Sequence, residues 1–172
     1  HSPDNDPAER PAQPALTGNL GFTPLHPHDS ASASTRLVDM GVEPFLISSS
    51  ILAVVAQRLV RVLCEDCRKA YIPNPIYLKS IGFSPESFKA HKVYKALGCE
   101  NCFNTGYRGR LGIFEIMVLT ERLKSLILKT FDSGRIKNES VQQKMRTLRQ
   151  DGMQKVLNGL TTVQEVLRDT QK

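Results

Sequence analysis

The sequence predicts a mixed α/β chain that is mostly helical and carries a small metal-binding subdomain. Two segments, at about 19–23 and 112–118, have the β-branched and aromatic content of strands, whereas at least five segments carry helical signals. Four cysteines form two Cys-x-x-Cys pairs that 31 residues separate. A length of 172 residues suits one domain with a small appended subdomain.

Helix signals dominate the chain after residue 30. Asp29 or Ser30 can cap a helix over about 31–40 that Gly41 ends. Apolar residues between Pro44 and Leu63 predict one long central helix. Three further helices are predicted towards the C-terminus: about 121–130, a long helix ending at Asn158, and a last helix at which Thr162 and Glu165 form a capping box.

Composition and charge exclude several classes of protein. The chain is neither collagenous nor a coiled coil, and its longest nearly apolar run, Phe45–Ala56, is too short for a membrane span, which needs about 20 residues. No signal peptide is visible at the start. The net charge is +6, which is −3 over residues 1–30 and +9 over 31–172. With 6% aromatic residues and no recognition-helix pattern, no nucleic-acid partner is expected.

The cysteines Cys64, Cys67, Cys99 and Cys102 are the sharpest local signal. Two Cys-x-x-Cys turns supply four thiolates, which close the tetrahedral shell of a structural Zn²⁺. Two disulfides or a redox pair are the alternatives, whereas a catalytic zinc would need an open position. Because the insert 68–98 has little apolar content, its fold is expected to depend on the metal.

Several motifs together resemble the C-terminal domain of the type II secretion and type IV pilus assembly ATPases, and the last ones lean towards the type II secretion ATPase. They include Gly41-Val42-Glu43-Pro44-Phe45, Ala56-Gln57-Arg58-Leu59-Val60-Arg61, Gly98-Cys99-x-x-Cys102-x-x-Thr105-Gly106-Tyr107-x-Gly109-Arg110 and Thr161-Thr162-x-x-Glu165-Val166-Leu167. The similarity covers about 30–172. It implies a partial RecA-like ATPase domain with a small tetracysteine zinc subdomain.

The resemblance implies four parts. Residues 1–15 form a flexible Pro-rich arm, 16–63 a partial segment of the ATPase core, 64–102 the zinc-binding subdomain, and 103–172 a strand plus a C-terminal helical part. Members of this family form hexamers of like subunits in the cytoplasm, associate peripherally with the bacterial inner membrane, and act with secretion platform proteins there. The chain is therefore expected to power protein export or pseudopilus assembly as part of such a motor.

Nucleotide chemistry is incomplete in this sequence. No G-x-x-x-x-G-K-S/T loop occurs to cradle phosphates, and no strand ending in a carboxylate precedes residue 16. No catalytic residue is therefore assigned, ATP and Mg²⁺ are implied only for the full-length family context, and the chain alone is expected to be inactive. Structural, subunit-contact and force-transmitting roles remain. The alternative is a stand-alone zinc-binding interaction module or nucleic-acid-binding module.

His26 and Arg58 are the candidate nucleotide contacts. His26 falls at the position of the family's His-box histidine, which lies near the nucleotide phosphates, but Pro24 and Pro27 flank it here. It is therefore either a nucleotide sensor or a loop histidine. Arg58 and Arg61 are expected on one face of the central helix, where they either reach a nucleotide or subunit boundary or solvate the helix end.

Overall fold

The computed structural model describes residues 21–25, 27–89 and 91–170. Within them, helices and strands follow one another in the order α1 (Ser30–Asp39), α2 (Pro44–Ser50), β1 (Ala53–Leu63), β2 (Lys69–Tyr71), α3 (Pro75–Ser80), α4 (Glu86–Lys89), β3 (Val93–Lys95), a 3-10 turn (Glu100–Cys102), β4 (Tyr107–Val118), α5 (Glu121–Ile127), α6 (Ser133–Gln142), α7 (Leu148–Leu157) and α8 (Val163–Thr170). The mixed α/β class is therefore confirmed. No helix in these ranges is long and apolar enough to cross a membrane.

The chain divides into two compact units. The first holds the described residues up to Ala56 together with Glu115–Thr147, and the second holds Gln57–Phe114 together with Leu148–Lys172. The strands β1 and β4 pair in a two-stranded sheet.

Helices α1, α2, α5 and α6 build the first unit. They enclose a core of fully buried apolar side chains, among them Ala31, Leu37, Ile47, Met117, Leu123, Ile127 and Ile136. Of the two predicted caps of α1, Asp29 is the one that the structure uses, because its Oδ1 accepts from the Ser32 backbone N–H at 2.9 Å. Gly41, at φ +91°, follows the end of α1, which agrees with its predicted role as terminator.

The cysteine-flanked insert and the last two helices form the second unit. The strands β2 and β3 pair antiparallel, with Lys69 opposite Lys95 and Tyr71 opposite Val93. Apolar side chains of the insert enter a common core with α7 and α8, namely Leu78, Phe88 and Val93 beside Met153, Val156, Val163, Val166 and Leu167. The insert therefore does not depend on a metal alone for its packing, in contrast to the expectation from its composition.

The prediction of one helix from Pro44 to Leu63 was wrong after Ser50. Three serines end α2, and the hydroxyls of Ser48 and Ser49 bond back to the Phe45 carbonyl at 3.0 and 2.8 Å. Residues 53–63 then form β1, in which Ala56, Val60 and Leu63 are buried. The β-branched valines of this segment favour a strand, and its apolar positions fit the helical period by coincidence.

Two other boundaries also differ. The long helix expected to end at Asn158 is broken between α6 and α7, where Lys144 has φ +68°. The strand expected at about 112–118 is confirmed and begins earlier, at Tyr107. Of the segment expected at about 19–23, the described residues Gly21–Thr23 form no strand, and the rest lies outside the described ranges.

Candidate metal centre

The four cysteines converge. Their Sγ atoms all lie within 4.8 Å of one another, although 31 residues separate the two pairs. Cys64 directly follows β1, and its backbone N–H donates to the Gly106 carbonyl at 3.0 Å. Cys67 closes the first turn, and the second pair lies around the 3-10 turn Glu100–Cys102. The structure therefore brings together all four predicted ligands.

The sulfur separations describe a cluster of free thiols. Cys64 and Cys99 are 3.9 Å apart, Cys67 and Cys102 are 3.9 Å apart, and Cys99 and Cys102 are 3.7 Å apart, each measured between Sγ atoms. A disulfide needs about 2.05 Å, and all four cysteines are free. Four sulfur ligands around one point can hold a metal ion.

Two glycines let the second turn fold so tightly. Gly98 has φ +116°, and a Cβ built there would lie 2.7 Å from the Asn104 carbonyl oxygen. Gly106 has φ +75°, and its Cβ would lie 2.6 Å from the Ala96 Cβ. An L side chain would therefore be strained and sterically blocked at either position.

Backbone N–H groups point at the sulfurs. Gly98 donates to Cys67 Sγ at 3.3 Å, and both Cys99 and Gly106 donate to Cys102 Sγ at 3.2 Å. Burial alone would raise the pKa of the Cys102 thiol, but these two N–H groups outweigh it and lower that pKa to about 6. Burial and the hydrogen bond with Cys102 raise the pKa of Cys99 to about 12. These backbone donors thus favour the thiolate form of Cys102.

Hydrogen bonds also join the two turns outside the sulfurs and fix them to the last helices. Asn101 Nδ2 donates to the Asp66 carboxylate at 3.1 Å. Arg68 donates to the Gly159 carbonyl at 2.9 Å, and its guanidinium lies 4.7 Å from the centre of the Tyr94 ring. Leu63 N–H donates to the Leu160 carbonyl at 2.9 Å, so the residue before the first ligand is held as well.

Of the two predicted nucleotide contacts, the structure describes Arg58, which lies in a strand and not on the predicted helix. His26 is outside the described residues. Arg58 is half-buried in β1, where its Nη1 donates to the Gln57 carbonyl at 3.2 Å. Residues three apart in a strand point to opposite faces, so Arg58 and Arg61 do not share the face that the helical prediction gave them.

Arg61 has a structural partner that sequence analysis did not assign. It bonds the carboxylate of Glu165 in α8, and its guanidinium lies 4.1 Å from the centre of the Tyr107 ring. The Tyr107 hydroxyl lies 3.0 Å from Thr162 Oγ1. The first half of the predicted capping box is present, since Thr162 Oγ1 accepts from the Glu165 N–H at 3.3 Å. The Glu165 carboxylate, however, bonds Arg61 and Arg168.

A buried carboxylate in the first unit was also missed. Glu115 in β4 is 1% exposed and accepts from the Ser30 backbone N–H at 2.9 Å and from the Ser30 hydroxyl. The signal was available, because Glu115 alternates with the apolar Ile113 and Met117 on the buried side of the strand. An acid at such a position needs hydrogen-bond donors, and the first residue of α1 supplies two.

Comparison with known proteins gives consistent results over nearly the whole chain. The family model described as "Type II/IV secretion system protein" matches residues 4–168. The chain is 43% identical to the type II secretion system protein E of Pseudomonas aeruginosa, over 98% of this chain and 33% of the relative. It is 41% identical to the type IV pilus assembly ATPase PilB of Thermus thermophilus, over 97% of this chain and 19% of the relative.

A third relative has similar identity and similar coverage of this chain. The type II secretion system ATPase E of Vibrio cholerae is 39% identical over 98% of this chain and 33% of its own length. The chain thus spans a third or less of the length of these relatives.

Proposed function

Because the chain belongs to the family of type II/IV secretion system proteins, we propose that it is the zinc-bearing C-terminal portion of a secretion ATPase. In this role it binds one structural Zn²⁺ through Cys64, Cys67, Cys99 and Cys102, contacts like subunits of a hexamer, and transmits force during protein export or pseudopilus assembly. The assembly works in the cytoplasm, against platform proteins of the inner membrane. The relatives, named as ATPases and secretion proteins, support the general role.

The spacing of the four sulfurs carries the metal proposal. A tetrahedral site with Zn–S bonds of about 2.3 Å has S···S edges of about 3.8 Å. Three of the six S···S separations, at 3.9, 3.9 and 3.7 Å, agree with that value. Four thiolates leave no open coordination position, so the metal contributes to folding and carries out no chemistry on a substrate.

Zinc would join two segments that packing holds only in part. Leu78, Phe88 and Val93 fix the middle of the insert to the core that includes α7 and α8. The two cysteine turns themselves bury little apolar surface. Cys64 and Cys102 are buried, whereas the residues between the cysteines of each pair are exposed, namely Glu65, Asp66, Glu100 and Asn101. The metal therefore fixes the ends of the insert, which we assign as the subdomain 64–102, and the core fixes its middle.

Nucleotide handling is proposed for the assembled motor and not for this chain alone. ATP and Mg²⁺ would bind where longer relatives supply a phosphate-binding loop. His26 and Arg58 remain proposed contacts from this chain, each able to approach phosphate from one side only. The remaining functions of the chain are then structural, at subunit contacts and in transmission of the motion.

A chimera tests the proposed role. Replacing the matching third of the Vibrio cholerae type II secretion system ATPase E with this chain should retain ATP hydrolysis and restore secretion. Cys99→Ser in the chimera should abolish secretion, whereas Ser80→Ala, at an exposed position of the insert, should not. A chimera that hydrolyses ATP and supports secretion equally well with and without Cys99 would contradict the proposal.

A further inference from the structure

The two cysteine turns carry polar side chains at matching positions. Asp66 directly precedes Cys67, and Asn101 directly precedes Cys102. Asn101 Nδ2 donates to Asp66 Oδ2 at 3.1 Å, so a side-chain hydrogen bond joins two turns whose partners are 35 positions apart in the chain. Because the acceptor is a carboxylate, this bond is stronger than one between two neutral groups.

Asp66 also lies beside one of the proposed ligands. Its Oδ2 is 3.9 Å from Cys64 Sγ, a distance at which a thiol can donate weakly to the carboxylate. A metal-bound cysteine is a thiolate and has no proton to donate. With metal bound, Asn101 is therefore the donor that holds the Asp66 carboxylate, among the contacts of the described residues.

The Asp66–Asn101 bond lies on the exposed side of the cysteine cluster. Both of its residues are exposed, whereas Cys64 and Cys102 are buried. On the buried side Gly106 connects the turns, because its carbonyl accepts from the Cys64 backbone N–H at 3.0 Å and its own N–H donates to Cys102 Sγ at 3.2 Å. The side-chain bond therefore joins the turns on the side from which solvent and chelators approach.

We propose that Asp66 and Asn101 are positioning residues whose hydrogen bond slows release of the metal ion from the four cysteines. An ion leaves a closed four-sulfur site by losing its ligands one after another. While the Asp66–Asn101 bond holds the turns together, a sulfur that has dissociated stays close to the ion and binds again before the next ligand leaves. This inference rests on the proposed metal site and adds what determines the lifetime of the bound ion.

The rate at which the zinc-loaded full chain releases zinc to an excess of a chromogenic chelator tests the inference. Asn101→Ala removes the donor and should accelerate release about ten-fold, as for other residues that support metal ligands from outside. Asn101→Asp places two carboxylates together and should accelerate release further, because like charges repel. Exchanging the side chains, with Asp66→Asn and Asn101→Asp in one chain, keeps an amide opposite a carboxylate and should restore slow release.

Glu100→Ala is the matched control, because Glu100 is exposed between the same two cysteines as Asn101. It should release zinc at a rate near that of the parent. In the metal-free state, Asn101→Ala should unfold in urea at the midpoint of the parent, since the lost bond is exposed.

Two kinds of failure are distinguishable in this experiment. Equal release rates for Asn101→Ala and Glu100→Ala, or fast release from the exchanged chain, would overturn the inference while leaving the metal site intact. A lowered urea midpoint of metal-free Asn101→Ala would overturn it in favour of a general contribution to stability. A parent chain that takes up no zinc would overturn the proposed metal site, and this inference with it.

Discussion

The guanidinium of Arg61 at the end of β1 donates two hydrogen bonds to the carboxylate of Glu165 in α8, at 2.9 Å from Nε and 2.6 Å from Nη2. The Arg61 backbone N–H adds a third to the same carboxylate at 3.2 Å. Burial alone would raise the pKa of Glu165, but the hydrogen bonds from Arg61 outweigh it and lower that pKa. This pair joins the strand that leads to the first metal ligand to the last helix.

Arg61→Ala should destabilise the second unit by about 2 kcal/mol. The Glu165 side chain is 3% exposed, so loss of Arg61 leaves a buried carboxylate that still pairs with Arg168. Urea denaturation measures the change. Arg108→Ala, at an exposed position, should alter stability by less than about 0.5 kcal/mol. Equal effects of the two substitutions would refute the assigned role of the pair.

Acid should weaken the first unit through Asp29. Burial opposes ionisation of this carboxyl, but hydrogen bonds from Lys137 and Ser32 outweigh it and lower the pKa from 3.8 to about 2. A lowered pKa contributes stability that is complete above about pH 4 and is lost as the pH falls towards 2. The contribution is about 2 kcal/mol. Lys137→Met should reduce the slope of unfolding free energy against pH in this window, whereas Lys129→Met should leave it unchanged.

Gly98→Ala should damage the cysteine cluster through steric conflict with the backbone. Its Cβ would lie 2.7 Å from the Asn104 carbonyl oxygen, which is fixed by the turn around Cys102. Gly82→Ala is a matched control, because Gly82 has φ +82° and no atom within 4 Å of a built Cβ. Both positions have positive φ, so the control shows whether backbone strain without a clash is enough to lower metal affinity. Gly98→Ala should lower metal affinity at least ten-fold more than Gly82→Ala does, as measured by competition with a chelator. Equal affinities of the two variants would show that the clash at position 98 does not disturb the cysteine cluster.

The cysteine cluster could be predicted from sequence because Cys-x-x-Cys spacing is a local rule. Two such turns point two sulfurs each to one side, and the structure needs only to bring the turns together. Asp29 as a helix cap was predictable for the same reason, since its partner Ser32 is three residues away. Interactions within a single turn of chain leave a clear pattern in the sequence.

Long-range pairs leave no such pattern. The β-branched valines after Ser50 favour a strand, but the partner strand β4, which stabilises it, lies far along the chain. The partner of Glu165 was assigned by a local motif, whereas the structure gives it Arg61, 104 residues away. Glu115 likewise finds Ser30 at a separation of 85 residues. Such partners are determined by tertiary packing, which overrides local preference.

The chain alone should not hydrolyse ATP. Phosphoryl transfer requires a phosphate-binding loop, Mg²⁺ and a carboxylate that orients water, and the sequence carries no such loop. Phosphate release by the purified chain with Mg-ATP should equal the background, and His26→Ala and Arg58→Ala should not change it. Saturable turnover that either substitution abolishes would reveal a nucleotide site within this chain.

The metal content of the purified chain tests the central claim most directly. Elemental analysis of the protein, purified under reducing conditions without added metal, should give one zinc per chain, with all four thiols protected from a thiol reagent until zinc is chelated. Cys99→Ser should lose the zinc and loosen the two turns. The helical circular dichroism of the chain should remain, because α7 and α8 keep their apolar core. A metal-free chain whose four thiols react at once, and which gains no protection when zinc is added, would contradict the account.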